Sequence, residues 1–184
     1  MDIAGFLENL KQQPILEELS ARLDISPVEI KEKINYLQSK CEGRAAGNTE
    51  KFFLYVDGAA RNNPGPAGGG AVVYKGNEEK IAEASSYFGS RLTNNAAEYR
   101  ALILGLELLP KECKELKIHM DSELVIKQLT GEYAVKSPNL NPYFEEVKSN
   151  LEKFKRVEFE AIPREKNKEA DQLANRALDG KIEK

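Results

Sequence analysis

Between residues 52 and 88, apolar and small residues gather in three runs, about 52–58, 67–75 and 80–88. Segments rich in Asn, Pro and Gly separate them, so the pattern predicts three strands joined by turns. From Asn95 to Leu109 the apolar residues take helical spacing, and Pro110 ends that helix. In "LKIHMD", Leu116, Ile118 and Met120 alternate with Lys117, His119 and Asp121, which predicts a short fourth strand. "SELVIKQL" reads as a helix, "TGEYAVKSPNLNP" as a loop, "YFEEVKSNLEKF" as a helix and "VEFEAI" as a fifth strand. The last helix, "NKEADQLANRAL", carries a stripe of Ala170, Leu173, Ala174, Ala177 and Leu178 that faces the sheet. Three meandering strands followed by alternating helices and strands predict an α/β domain, a mixed sheet with helices packed on it.

The first 40 residues have a different pattern. Ile3, Phe6, Leu7 and Leu10 keep helical spacing, and Pro14 opens a second unit, "PILEELSARL". In "DISPVEIKEKINYLQ", Ser26 suits an N-cap, Pro27 the first helical position and Glu29 a capping box. Val28, Ile30, Ile34 and Leu37 supply its apolar stripe. The expected organisation is a small all-α module over 1–40, similar to a helix-turn-helix, a polar linker over 41–50, and the α/β domain over 51–184.

Composition narrows the class. The 184 residues are 41% hydrophobic and 31% charged, as expected of a globular protein. No apolar run approaches the roughly 20 residues of a membrane helix, and the acidic, amphipathic N-terminus lacks the basic start of a signal peptide. No membrane association is expected. Cys41 and Cys113 have no metal-ligand spacing, so reduced thiols in a cytoplasmic protein are the expectation. The formal charge is −3, so bulk charge does not announce a nucleic-acid binder. Residues 1–40 hold five basic and seven acidic residues, which weakens a DNA-binding reading of the helical module against one of protein contact.

Four acids stand out by position. Asp57 ends the first strand in "FFLYVDGAARNNPG", and Asp121 ends the fourth. Glu98 lies in the first turns of an otherwise apolar helix, and Asp171 at the edge of the apolar stripe of the last. Singly, such acids read as caps or solvated residues. Together at one sheet edge they would repel strongly, and only divalent cations would offset that repulsion. A set of carboxylate oxygens without Cys or His suits hard ions, Mg2+ or Mn2+.

"DGAARNNPG", "TNNAAEYRAL", "DSELVIKQL" and "REKNKEADQLANRAL", in this order, resemble the type I ribonuclease H family, particularly its short, reverse-transcriptase-like branch in bacteria and archaea. The resemblance covers about residues 51–180. It implies a ribonuclease H-like fold, with a five-stranded mixed sheet flanked by helices. It also implies an endonuclease that hydrolyses the RNA strand of an RNA–DNA hybrid, leaving a 5′-phosphate and a 3′-hydroxyl. By motif match Asp57, Glu98, Asp121 and Asp171 take the four metal-binding carboxylate positions. The implied mechanism uses two Mg2+ ions about 3.5–4 Å apart, with Asp57 bridging both. Asp121 would share the first ion, Glu98 would serve the second near the RNA 2′-hydroxyl, and Asp171 would be the most mobile ligand. Asn63, Asn94 and Asn95 match the amides that the family places in the hybrid's minor groove. Arg91 and Thr93 match its grip on a phosphate of the DNA strand.

The chain departs from the family pattern in two places. The loop "PREKNKEAD" lacks the histidine that some members carry before the last carboxylate, and the chain's one histidine, His119, reads as an ordinary strand residue. Arg164, Lys166 or Lys168 could assist product release or hold a phosphate instead. The segment "TGEYAVKSPNLNP" is short and the chain has no Trp, so the basic handle of some members is missing. The alternatives are a ribonuclease H-fold binding or regulatory protein, and a nuclease of that fold acting on double-stranded RNA. The expected partners are an RNA–DNA hybrid and, through the N-terminal helices, other nucleic acid or protein. The expected state is a monomer.

Overall fold

The computed structural model describes residues 6, 9–23, 25–35, 51–76 and 79–182. It divides into two compact units, Met1–Asn48 and Thr49–Lys184. The predicted linker over 41–50, Cys41 and most of the predicted first helix lie outside the described residues.

In the first unit, helix α1 spans Gln13–Leu23 and helix α2 spans 27–35. Leu16, Ile30 and Ile34 form its core, with Leu10, Leu19 and Ile25 packed around them. Ser26 caps α2 as its position predicts, its hydroxyl accepting from the Glu29 N–H at 3.2 Å. Val28 faces solvent, so the apolar stripe of α2 rests on Ile30 and Ile34. No described helix is long and apolar enough to cross a membrane.

The second unit is built on five strands: β1 (Lys51–Ala60), β2 (Gly65–Lys75), β3 (Glu79–Leu92), β4 (Glu115–Met120) and β5 (Arg156–Ala161). Their order across the sheet is β3-β2-β1-β4-β5. The β1–β2 and β2–β3 pairs are antiparallel, while β4 runs parallel to β1 and β5 parallel to β4. The helices are α3 (Asn94–Glu107), α4 (Glu123–Leu129), α5 (Asn141–Leu151) and α6 (Lys168–Ile182), the last preceded by a 3₁₀ turn at Arg164–Lys166. Every predicted element of this unit is present. The first three strands run longer than their apolar runs; in β3, pairing with β2 adds Glu79 at one end and Leu92 at the other, with Ser90 and Arg91 in an irregularity between Gly89 and Leu92. The third helix starts one residue earlier than predicted, because Thr93 caps it through a hydrogen bond from the Ala96 N–H.

The alternation of β1 sorts its side chains between two faces. Phe52, Leu54 and Val56 join Leu116, Ile118, Met120, Tyr99 and Leu102 in the main core. Phe53, Tyr55 and Asp57 take the opposite face by the same alternation, and α6 packs over β1, β2 and β3. The approach of α6 is very close. A Cβ on Gly70 would lie 2.3 Å from the Ala170 carbonyl oxygen and 2.4 Å from the Leu173 Cβ. Ser85 reinforces the contact by donating to the Leu173 carbonyl at 2.6 Å. Asp171 rides on this helix, so the strand–helix distance sets where its carboxylate sits.

Gly70→Ala is therefore expected to destabilise the protein by about 1–3 kcal/mol through overpacking. Urea unfolding measures this, and an unchanged midpoint would show that α6 shifts without cost.

Candidate active site

Three of the four predicted carboxylates converge. One oxygen each from Asp57, Glu98 and Asp121 lie within 4.8 Å of one another, the one such cluster among the described residues. Asp57 sits near the end of β1, opposite Gly70 of β2, and is 4% exposed. Asp121 follows the last residue of β4, one position beyond the ladder that pairs β4 with β5. Glu98 comes from the opposite side of the sheet, in the second turn of α3, and is 5% exposed.

Gly58 allows that convergence. A Cβ there would lie 2.3 Å from the Ala97 carbonyl and the Glu98 nitrogen, so α3 touches β1 backbone to backbone. The Gly58 N–H then donates to Glu98 Oε2 at 3.2 Å. A strand that bore a side chain here would push Glu98 away from Asp57.

The electrostatics follow from crowding. Burial, and then the charges of Asp121 and Asp171, push the Asp57 carboxyl up to about 7. Burial pushes Glu98 well above the usual carboxylate range, with Asp57 and Asp121 adding to the effect and the Gly58 N–H opposing it. Asp121 Oδ1 is buried with no hydrogen-bond partner among the described residues. Crowded acids, one with an orphaned oxygen, are hard donors lacking a counter-charge, and the set fits a divalent cation.

Asp171 is held differently from its expected mobility. Arg164 grips Oδ1 with two hydrogen bonds, one from Nε at 2.9 Å and one from Nη2. Asn175 Nδ2 donates to Oδ2 at 3.1 Å. The loop before α6 is a 3₁₀ turn rather than open chain, and the Asp171 N–H closes onto the Asn167 carbonyl. Arg164, considered in the sequence for a phosphate, thus occupies the fourth carboxylate in this structure.

Asn167 was missed by the sequence reading. It is 1% exposed, and its Nδ2 donates to the Val56 carbonyl at 2.8 Å, tying the turn before Asp171 to the strand that carries Asp57. Its only signal was one Asn in the polar run "PREKNKEAD". His119 lies in β4 as expected; it is buried there, and its ring stacks on that of Tyr55 at 4.5 Å.

The predicted substrate contacts cluster at one end of the sheet. Asn63 Oδ1 accepts from the Asn94 N–H at 3.0 Å, and Asn94 Oδ1 accepts from the Ala60 N–H at 3.1 Å. These bonds fix the β1–β2 loop, where Asn62 has φ +59°, against the start of α3. Asn95 is half-buried beside them; Arg91, near the end of β3, and Thr93, between β3 and α3, are exposed. Thr93 also caps α3, so its hydroxyl oxygen already accepts from a helix N–H.

Known proteins resemble this chain in sequence and fold. The profile of a family described as reverse transcriptase-like matches residues 55–177. The bifunctional protein Rv2228c of Mycobacterium tuberculosis is 41% identical over 130 residues, which are 70% of this chain but only 36% of that relative. The chain thus spans about a third of that relative's length. Ribonuclease HI of Halobacterium salinarum is 41% identical over 130 residues, 70% of this chain and 65% of the relative. Among solved structures, LC11-RNase H1 in complex with an RNA/DNA hybrid is 39% identical, with a TM-score of 0.65 over 71% of this chain and 99% of that one. With the sheet order, the carboxylate cluster and these matches in agreement, the chain belongs to the type I ribonuclease H family, in its reverse-transcriptase-like branch.

Proposed function

We propose that this chain is an endonuclease that hydrolyses the RNA strand of RNA–DNA hybrids, leaving 5′-phosphate and 3′-hydroxyl ends. The observation that carries this reading is the convergence of Asp57, Glu98 and Asp121 within 4.8 Å at the sheet edge. The hybrid bound by LC11-RNase H1 supports the substrate class. Asp57, Glu98, Asp121 and Asp171 would hold two Mg2+ ions, with Mn2+ as an alternative. When bound, such ions stabilise charge on the phosphate and lower the pKa of a bound water.

The chain's own residues do the rest. Gly58 fixes Glu98 against β1, so the two most crowded acids need no rearrangement to act together. Asp171 must leave Arg164 to serve as a ligand, which frees a guanidinium beside the scissile phosphate. That guanidinium fits a phosphate oxygen through its fork of donors. The oxygens of Asn63 and Asn94 are engaged by backbone N–H groups, so these amides offer NH2 donors to acceptors in the hybrid's minor groove. The RNA 2′-oxygen is one such acceptor and is absent from DNA. Arg91, Thr93 and Asn95 flank them as contacts to the DNA strand and the groove. A monomer in the reducing cytoplasm is consistent with the free, buried Cys113. The N-terminal helices would add a contact to nucleic acid or protein.

A strand-labelled hybrid, an RNA duplex and a DNA duplex test the reading. With Mg2+ or Mn2+, cleavage of the hybrid's RNA strand alone is expected, and Asp57→Asn is expected to lose about 10²–10³-fold or more in rate. Equal cutting of the RNA duplex would replace the substrate class, and an Asp57→Asn variant as active as the wild type would end the proposal.

The raised Asp57 value gives a second test with no substrate present. The folded value, about 7, lies above that of the unfolded chain, so the metal-free folded state holds the extra proton. This contribution to stability is fully present below pH 4 and is lost as pH rises through about 7. Asp57→Asn removes it, and is expected to stabilise the metal-free protein at pH 8 by roughly 2–4 kcal/mol relative to wild type. Mg2+ should close most of that gap by stabilising wild type alone. Denaturant midpoints at pH 5 and pH 8, with and without Mg2+, read out both effects.

A further inference from the structure

Strand β3 departs from its ladder shortly before the chain enters α3. Gly68 of β2 pairs with Tyr87, and the adjacent Ala67 pairs with Gly89, so Phe88 is an extra residue on β3. Gly65 then pairs with Leu92, so Ser90 and Arg91 together oppose Pro66. Pro66 has no N–H to give to a neighbouring strand. Two register shifts thus fall between Tyr87 and Leu92, and Gly89 between them has φ +130°, a conformation that favours glycine.

A residue that leaves the ladder needs another donor for its carbonyl. Arg100 of α3 supplies one to Phe88: its Nη1 donates to the Phe88 carbonyl at 2.7 Å. The same guanidinium lies over the Phe88 ring, with Cζ 4.7 Å from the ring centroid. That ring is wedged against β2, since a Cβ on Gly69 would lie 2.5 Å from its Cε2. Arg100 is half-buried, so solvent and salt screen these contacts less than those of an exposed side chain. The far end of the segment is held separately: Leu92 pairs with Gly65 and packs on the main core. Ser90 and Arg91, both exposed, bridge these two pinned points. A one-residue slip in a strand turns its side chains to the opposite face. A slip at Phe88 would therefore turn Arg91 away from its present face.

We propose that Arg100 is a positioning residue for substrate affinity: its grip on Phe88 fixes the Ser90–Arg91 step and directs Arg91 to a phosphate of the hybrid's DNA strand. This rests on the hybrid-cleavage reading and adds to it a residue that touches neither metal nor nucleic acid. Arg100 acts through Arg91, so it governs KM rather than kcat.

The test is a double-mutant cycle on the full chain, with Mg2+ and a strand-labelled hybrid. Arg91→Gln removes one phosphate contact. It is expected to raise KM severalfold and to lower the slope of log KM against log salt by about 1. Arg100→Met keeps an apolar stem and removes the donor. It should raise KM to a similar extent with kcat kept, and the double variant should be no weaker than Arg91→Gln alone. Arg100→Lys, which keeps a charged donor without the planar group, should fall between wild type and Arg100→Met. Without substrate, backbone order parameters at Ser90 and Arg91 should fall from the rigid range, about 0.85, to below about 0.6 in Arg100→Met. Additive losses would mean that Arg100 meets the hybrid itself, and unchanged order parameters that it holds nothing. An unchanged KM in either Arg91→Gln or Arg100→Met, or a fall in kcat with KM kept, would break the link to Arg91. Each of these outcomes overturns this proposal alone, whereas a wild type that leaves the hybrid uncut overturns the cleavage reading and this proposal together.

Discussion

Carboxylates crowded at one end of the central strands are the constraint on which the rest of this domain depends. Asp57 and Glu98 are nearly fully buried, which is the main reason both resist ionisation; Asp121 and Asp171 add to the cost at Asp57, and Asp57 and Asp121 add to it at Glu98. At the low dielectric of such a site, repulsion between charges a few ångströms apart exceeds what one hydrogen bond returns. Left to itself, the chain would relax by moving α3 away from β1. It does not, because Gly58 lets two backbones touch and the core beneath them is tight. Tyr99, in α3 beside Glu98, is fully buried and donates to Gln128 of α4 at 2.9 Å. Packing energy spread over the core thus holds local strain at the site.

The same logic places Asp171. Gly70 admits α6 against β2, and Asn167 ties the preceding turn to the Val56 carbonyl, one residue before Asp57. The two acids therefore share a mechanical link that passes through a neutral hydrogen bond rather than through charge. Arg164 supplies the missing positive charge for Asp171 and also opposes the upward shifts of Asp57 and Glu98. An exposed guanidinium can do this reversibly, whereas a buried lysine in the same place would block the ligands permanently.

Much of this was legible in the sequence. Apolar runs and their change of period mark each strand and helix of the second unit, because burial on a sheet face and along a helix imposes different spacings. Asp57, Glu98 and Asp121 stood out as acids at the ends of apolar elements, and their convergence follows from the topology. Asn167 was not legible. A buried amide bonding a distant carbonyl leaves no periodic mark, and Val56 is 111 positions away in the chain. Arg164 was visible only as a charge in a loop. Its partner depends on how the 3₁₀ turn folds back, which no local propensity encodes. His119 lies in β4 as expected, but strand alternation does not encode its stacking on Tyr55 from the neighbouring parallel strand.

Net charge poses a last question for a protein proposed to act on a polyanion. The chain carries −3, yet part of that charge is the carboxylate set itself, which bound cations would neutralise. Two of the acids, Asp57 and Glu98, have raised pKa values and hold protons more readily than ordinary carboxylates when no metal is present. The surface proposed to meet a hybrid is thus less negative than a formal count suggests. Attraction then rests on local groups such as Arg91, on helix and loop N–H donors, and on ions that bridge protein and phosphate. In the proposed reading a hybrid held largely through cations would bind with an affinity that follows their concentration, and the carboxylate cluster would govern binding as well as chemistry.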